Sequence, residues 1–204
     1  FRRKEVFSYN KLNSSADSEK LVAQFKNLMT KDLNVIVVNF IDMLSHARTE
    51  SKMVRELASD ENAYRSITLS WFRHSPIREL FSLISQTNAK VVITTDHGSI
   101  RVNTPSKVVG DRNTNTNLRY KLGKNLSYNA KDVYELREPK KAFLPSPNLS
   151  TSYIFAQNDT FFAYPNNYNY YVGYYKNTFQ HGGISMEEML IPLVTMQSKR
   201  GRNR

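Results

Sequence analysis

Two apolar runs constrain this chain most. Residues 34–40 read "NVIVVNF" and residues 89–96 read "AKVVITTD". Both are rich in β-branched residues and short enough for strands. Nearly continuous apolar runs are expected of central strands buried on both faces of a parallel sheet. Between them lie helical patterns. "IDMLSHARTESKMVRELAS" reads as a loop entering a helix, and residues 64–88 as a second helical region, bent or broken near Pro76. Parallel strands need a crossover, so the order strand, helix, helix, strand predicts an α/β fold. Upstream, residues 1–33 read as partly helical. Leu21, Val22, Phe25 and Leu28 fall on one helical face, with Ser15 or Asp17 as the cap.

Acids and imidazoles follow these strands. Asp42 lies just after the first run, and His46 stands four residues further on, a spacing that sets both on one side of a helix. Asp96 and His97 end the second run, and Gly98 breaks the strand after them. His181 precedes Gly182-Gly183, a pair that lets backbone approach a ligand closely. In an open α/β sheet the carboxyl ends of strands form the functional edge. The chain has no cysteine, so any metal is held by imidazole and carboxylate. Asp42, His46 and His181 make a three-ligand zinc set, and Asp96 with His97 make half of a second. The fourth histidine, His74 in "WFRHSPI", reads as a helix-surface or packed residue. Trp71, Phe72, Leu80, Phe81 and Ile84 read as core.

Beyond Gly98 the character changes. Residues 98–141 carry ten Lys/Arg and four Asp/Glu, and the whole chain carries 29 against 18, a net charge of +11. That excess favours anionic partners. Arg101, Lys107, Arg119 and Lys121 are the candidate contacts to a substrate phosphate, Arg119 beside Tyr120 above all. "YIFAQNDTFFAYP" and "NYYVGYYKNTF" read as β-hairpin material. Ser185 and Glu188 form a capping box, and Pro192 separates a short helix from a last strand. No signal-peptide pattern opens the chain, and no apolar run nears the ~20 residues of a membrane span. The expectation is a cytoplasmic protein without a membrane partner.

In order, D-x-x-x-H, D-H-G and H-G-G-x-S-x-E-E-M-x-x-P-L resemble the carboxyl-terminal half of the alkaline phosphatase superfamily. "NFIDMLSHARTE" and "TTDHGSIRVNTPSKVVGDRNTNTNLRYKLGKNL" are most similar to PglZ domains, including those that serve as output domains of response regulators of type IX secretion. The resemblance covers roughly residues 34–196. It implies a three-layer sandwich around a mainly parallel sheet, with a basic, β-hairpin-rich insertion at 98–180. It implies two zinc sites: Asp42, His46 and His181 at one, complete in this chain, and Asp96 and His97 at the other, partial. It implies phosphoester hydrolysis, with cyclic or linear oligonucleotides as substrates.

The family nucleophile and a further metal-binding Asp belong to an earlier strand, for which no match is found before residue 34. Residues 1–196 are therefore expected to be the carboxyl-terminal portion of the domain, followed by a disordered basic tail at 197–204. No catalytic nucleophile is assigned, and the isolated fragment is expected to be inactive. The expected partners are the upstream half, a receiver domain and, in a homodimer, a second copy. Two rivals stand beside this: a regulatory protein-interaction or dimerisation module with structural zinc, and a basic nucleic-acid-binding module.

Overall fold

The computed structural model describes residues 6–148 and 150–198. The fold is mixed α/β, with several small sheets. It divides into two compact units: 6–93 with 194–198, and 94–193.

In the first unit, β1 (Phe7–Leu12) runs parallel to β2 (Leu33–Val38), with Phe7 opposite Leu33 and Leu12 opposite Val38. The crossover is supplied by α1 (Ser15–Ala23) and α2 (Phe25–Leu28). The cap of α1 is Ser14, whose hydroxyl accepts from Asp17 N at 3.2 Å, rather than the expected Ser15 or Asp17. Asp17 instead returns its carboxylate to Asn13 N at 3.1 Å. Leu21 and Leu28 are buried with Leu12, Ile77 and Leu80, and Val22, Phe25, Ile36, Val38, Trp71 and Phe72 pack around them. Strand β1 was not expected. Its helix-facing side carries Ser8 and Asn10, which break the apolar alternation, and Ser8 Oγ donates to Asn34 Oδ1 at 2.6 Å.

The expectation that 34–40 is buried on both faces fails. Leu33 and Val35 are 57% and 38% exposed, so β2 packs helices on one side only. Val92 and Ile93 of β3 (Lys90–Thr94) are likewise exposed. Helix begins earlier than expected, at once after β2. It comprises α3 (Phe40–Glu50), α4 (Lys52–Leu57), α5 (Glu61–His74) and α6 (Pro76–Ile84). Pro76 breaks the helical region, as expected. It opens α6, where its missing N–H costs nothing. Phe40 stacks on Trp71 with ring centroids 4.2 Å apart.

The second unit contains β4 (Ile100–Arg101), β5 (Thr104–Lys107), β6 (Tyr120–Gly123), β7 (Val133–Leu136), β8 (Ser152–Ala156) and β9 (Thr160–Ala163). They are followed by α7 (Tyr168–Tyr175), β10 (Phe179–Gln180) and α8 (Met186–Met189). Strands β6, β8 and β7 form an antiparallel sheet in that order, while β5 and β9 are parallel and β4 and β10 antiparallel. Thus "YIFAQNDTFFAYP" supplies two strands, but they pair with other partners and not as a hairpin. "NYYVGYYKNTF" is mostly helix. Tyr168, Val172 and Tyr175, at helical spacing, pack on Ile100, Val102, Phe161 and Ala163. A second core gathers Val108, Val133, Ile154, Ala156 and Phe162.

The last strand, β11 (Leu193–Gln197), pairs with β3. The expected disordered tail at 197–204 therefore begins too early. Gln197 ends the strand, and Ser198 Oγ donates to Ser85 O at 2.6 Å. Residues 199–204 lie outside the described residues. Among the described residues no helix is long and apolar enough to cross a membrane.

Candidate metal centre

Asp42 and His46 sit one turn apart on α3, and His46 Nε2 lies 3.6 Å from Asp42 Oδ1. Both side chains stay substantially open to solvent, so the pair is presented rather than buried. What holds α3 is polar. Arg48, 1% exposed, donates through Nε and Nη2 to the carbonyls of Ala58 and Ser59. Tyr64 of α5 donates its hydroxyl to Ile41 O at 2.9 Å and stands 2.7 Å from Ser45 Oγ. These contacts bracket the turn carrying Asp42 and His46. Burial pushes the Tyr64 phenol above its ordinary pKa, and nearby Asp42 adds to the effect.

In the second unit, the strand gives way to the Asp96-His97-Gly98 turn. Gly98 N donates to Glu188 O at 2.9 Å. A Cβ on residue 98 would stand 1.9 Å from Glu187 O, so only glycine fits there. His97 Nδ1 lies 2.9 Å from Gly98 O. A carbonyl only accepts, so Nδ1 carries a proton, and in its neutral form the ring offers its Nε2 lone pair, as a metal ligand must. That Nε2 lies 3.8 Å from Asp96 Oδ1. Slight burial works against the Asp96 charge. The neighbouring His97, with hydrogen bonds from His97 N and Thr95 Oγ1, outweighs it and holds the carboxyl below the usual range. The His181 ring stacks on His97, with centroids 3.9 Å apart and planes 12° from parallel. Gly182 takes a φ of +104°, a left-handed conformation that favours glycine.

The four basic candidates fare differently. Arg119 and Lys121 are corrected: neither reaches solvent, at 0% and 1% exposure. Arg119 grips Glu188 at two points, Nε to Oε1 at 2.9 Å and Nη2 to Oε2 at 2.7 Å. Lys121 Nζ donates to Asn115 O at 2.8 Å and lies 4.9 Å from the Tyr164 ring centre. Both side chains are spent inside the fold. Lys107 is exposed at the end of β5. Arg101, in β4, is half-buried, and its Nε has no hydrogen-bond partner among the described residues. His74 is the last residue of α5 and exposed, with Nδ1 2.7 Å from Ser70 O, which fits the expected helix-surface position.

A family model described as the BREX system PglZ alkaline phosphatase-like domain matches residues 2–196. The chain belongs to the PglZ family. No curated protein matches it. Membership of an alkaline phosphatase-like family suggests a phosphoesterase-type hydrolase, and such domains usually use metal ions. The donors of this PglZ domain suit one. Carboxylates and neutral imidazoles are the hard and borderline ligands that divalent ions take, and the His97 tautomer is already the ligating one.

Sequence reasoning missed Asn117, Glu188 as a charge partner, and Tyr64. For Glu188 the S-x-x-E spacing signalled a local cap. Nothing in the spacing signalled an arginine 69 residues away.

Proposed function

We propose that this PglZ domain is the carboxyl-terminal portion of a zinc-dependent phosphodiesterase or phosphatase acting on cyclic or linear oligonucleotides. We take its setting to be like that of PorX, a cytoplasmic response regulator of type IX secretion. There a receiver domain precedes the PglZ domain, and the nucleophile comes from an upstream segment. One ion is assigned to Asp42, His46 and His181 and the second to Asp96 and His97. Arg101 and Lys107 remain the proposed phosphate contacts.

The observation that carries the proposal is the stacked pair of His97 and His181 beside Asp96 in a chain of this family. Imidazole lone pairs lie in the ring plane. Two near-parallel rings 3.9 Å apart therefore do not converge on one ion. They would instead serve two separate ions, as the assignment of His181 to one and His97 to the other requires, and two metals together would clamp a phosphoryl group. Imidazole favours zinc over magnesium.

When bound, zinc polarises phosphoryl oxygens and offsets the charge that develops on them. The chain's own part is to hold donors in the right ionisation state. Hydrogen bonds from His97 N and Thr95 Oγ1 favour the ionised Asp96 carboxyl, and Gly98 O keeps a proton on His97 Nδ1. Arg101 would add a charge-assisted contact to a non-bridging oxygen.

The test is zinc content and phosphodiester hydrolysis in the protein that contains the whole domain. His181→Ala is expected to lose zinc and hydrolysis while keeping its circular dichroism and Tm. Full hydrolysis by the folded variant rejects the assignment. An unfolded variant points to structural zinc, and nucleic-acid binding that survives chelation but falls steeply with salt points to a charge-driven binding module.

A further inference from the structure

Residue 188 is a hub. Its carboxylate takes Gly183 N at 2.8 Å on Oε1, and Ser185 N at 3.1 Å and Ser185 Oγ at 2.8 Å on Oε2. Its backbone carbonyl takes Gly98 N at 2.9 Å. The stretch bearing His181 is thus tied to the side chain of Glu188 and the turn bearing His97 to its backbone. Arg119 makes this possible. A carboxylate at 2% exposure needs a counter-charge, and the guanidinium, at 0%, meets both oxygens in the flat, two-point geometry that lysine lacks. Arg119 is itself tethered, donating to the carbonyls of Thr160 and Ala156 at the ends of β9 and β8. Asn117 adds a third tie. Its Oδ1 accepts from Arg119 N at 2.7 Å and its Nδ2 donates to His181 O at 3.4 Å.

We infer that Arg119 and Glu188 are positioning residues: their buried pair, with Asn117, sets the stacked placement of His97 against His181. Neither touches substrate or the reacting atoms. They act through the two loops they join. Burial works against ionisation of Glu188, but the hydrogen bonds from Arg119 and Gly183 outweigh it and hold its pKa below the ordinary value. The pair therefore stays charged through the neutral range. Charge was read in the sequence as a means of contacting substrate; at Arg119 it fixes geometry instead.

Removing one partner strands a buried charge and tests folding more than position. The informative variant is the charge-balanced double Arg119→Met/Glu188→Gln, in which the amide cannot accept all the bonds the carboxylate accepts. Arg119→Lys keeps the charge but not the two-point grip. Val133→Ala, in the separate Val108–Ile154–Phe162 core, is the control for lost stability alone.

Two readouts are used on the full chain. Without metal, histidine-labelled NMR reads the ring-to-ring nuclear Overhauser contact and ring-current shifts of His97 and His181. With Co(II), titration reads affinity and the d–d spectrum. Both pair variants are expected to lose the ring contact and to weaken Co(II) binding about 10- to 100-fold, the range for groups that orient metal ligands. Val133→Ala is expected to lose stability with both readouts unchanged. Retention of the ring contact in a folded pair variant overturns the inference. If the double variant does not fold, Arg119→Lys decides by the same measure. Only the Co(II) arm rests on the metal assignment. Wild-type protein that binds no Co(II) would defeat that assignment while the ring contact still judges Arg119 and Glu188.

Discussion

Lys121 shows what burial does to a charge that has no anionic partner among the described residues. Its ammonium has one carbonyl and the face of Tyr164 in place of water, and burial lowers its pKa to about 8. The sign of the consequence follows from proton counting. Below about pH 8 both folded and unfolded states hold the proton, and the fold bears the full cost of the buried cation. Between about 8 and the ordinary 10.5 the folded lysine releases its proton while the unfolded one keeps it, so stability rises with pH. The slope is at most about 1.4 kcal/mol per pH unit. Tyr128 opposes this at higher pH. Burial and Glu135 push its phenol up to about 12, so above about pH 10 the unfolded chain loses a proton that the folded chain retains. Urea unfolding of wild type is therefore expected to gain stability from about pH 8 to about 9.5, and Lys121→Met is expected to lack that gain. Equal slopes in the two proteins would refute the placement of Lys121. Asp42 with His46 and Asp96 with His97 announce themselves by spacing. A buried cation has no periodic signature, so Arg119 and Lys121 looked like their solvated neighbours.

Elements were legible where local rules decide and obscure where partners decide. The helix break at Pro76 and the Ser185–Glu188 capping box follow from backbone donors near at hand. The pairing of β8 and β9 does not, because their connection of Gln157–Asp159 is short enough for a hairpin, yet each strand pairs elsewhere, β8 with β6 and β7 and β9 with β5. For "NYYVGYY" the tyrosines fit both periods, and burial of Tyr168, Val172 and Tyr175 on one core selects the helix. Two glycines make this scale testable. Gly98→Ala drives a Cβ into the Glu187 carbonyl, a backbone atom that cannot swing aside. Overpacking of this kind costs about 1–3 kcal/mol. On α7, a methyl added at Gly173 would meet nothing within 4 Å. There alanine is expected to stabilise by roughly 0.5–1 kcal/mol through helix propensity. Thermal melts of the two variants should move in opposite directions; a shift of the same sign in both would refute the local geometry around one of them.

For the whole molecule, the apolar runs announced an α/β chain, but two compact units were not legible, because a unit boundary is a property of contacts and not of composition. The charge shift at Gly98 drew attention to 98–180, whereas the second unit extends from Thr94 to Leu193. The boundaries fall at the end of β3 and the start of β11, two strands that pair with each other. The unit's own ends are also fastened together, since Thr94 Oγ1 donates to Pro192 O at 2.8 Å. Within it lie two apolar cores and the Arg119–Glu188 pair, so the unit carries its own buried framework. A segment with close ends and its own core is one that folds when excised. Residues 94–193 expressed alone are therefore expected to unfold in one cooperative urea transition and to keep the Lys121 gain in stability between about pH 8 and about 9.5. A broad, non-cooperative melt would show that the unit borrows its stability from the rest of the chain. A cooperative melt without the pH signature would show that Lys121 is buried by something other than Asn115 and Tyr164.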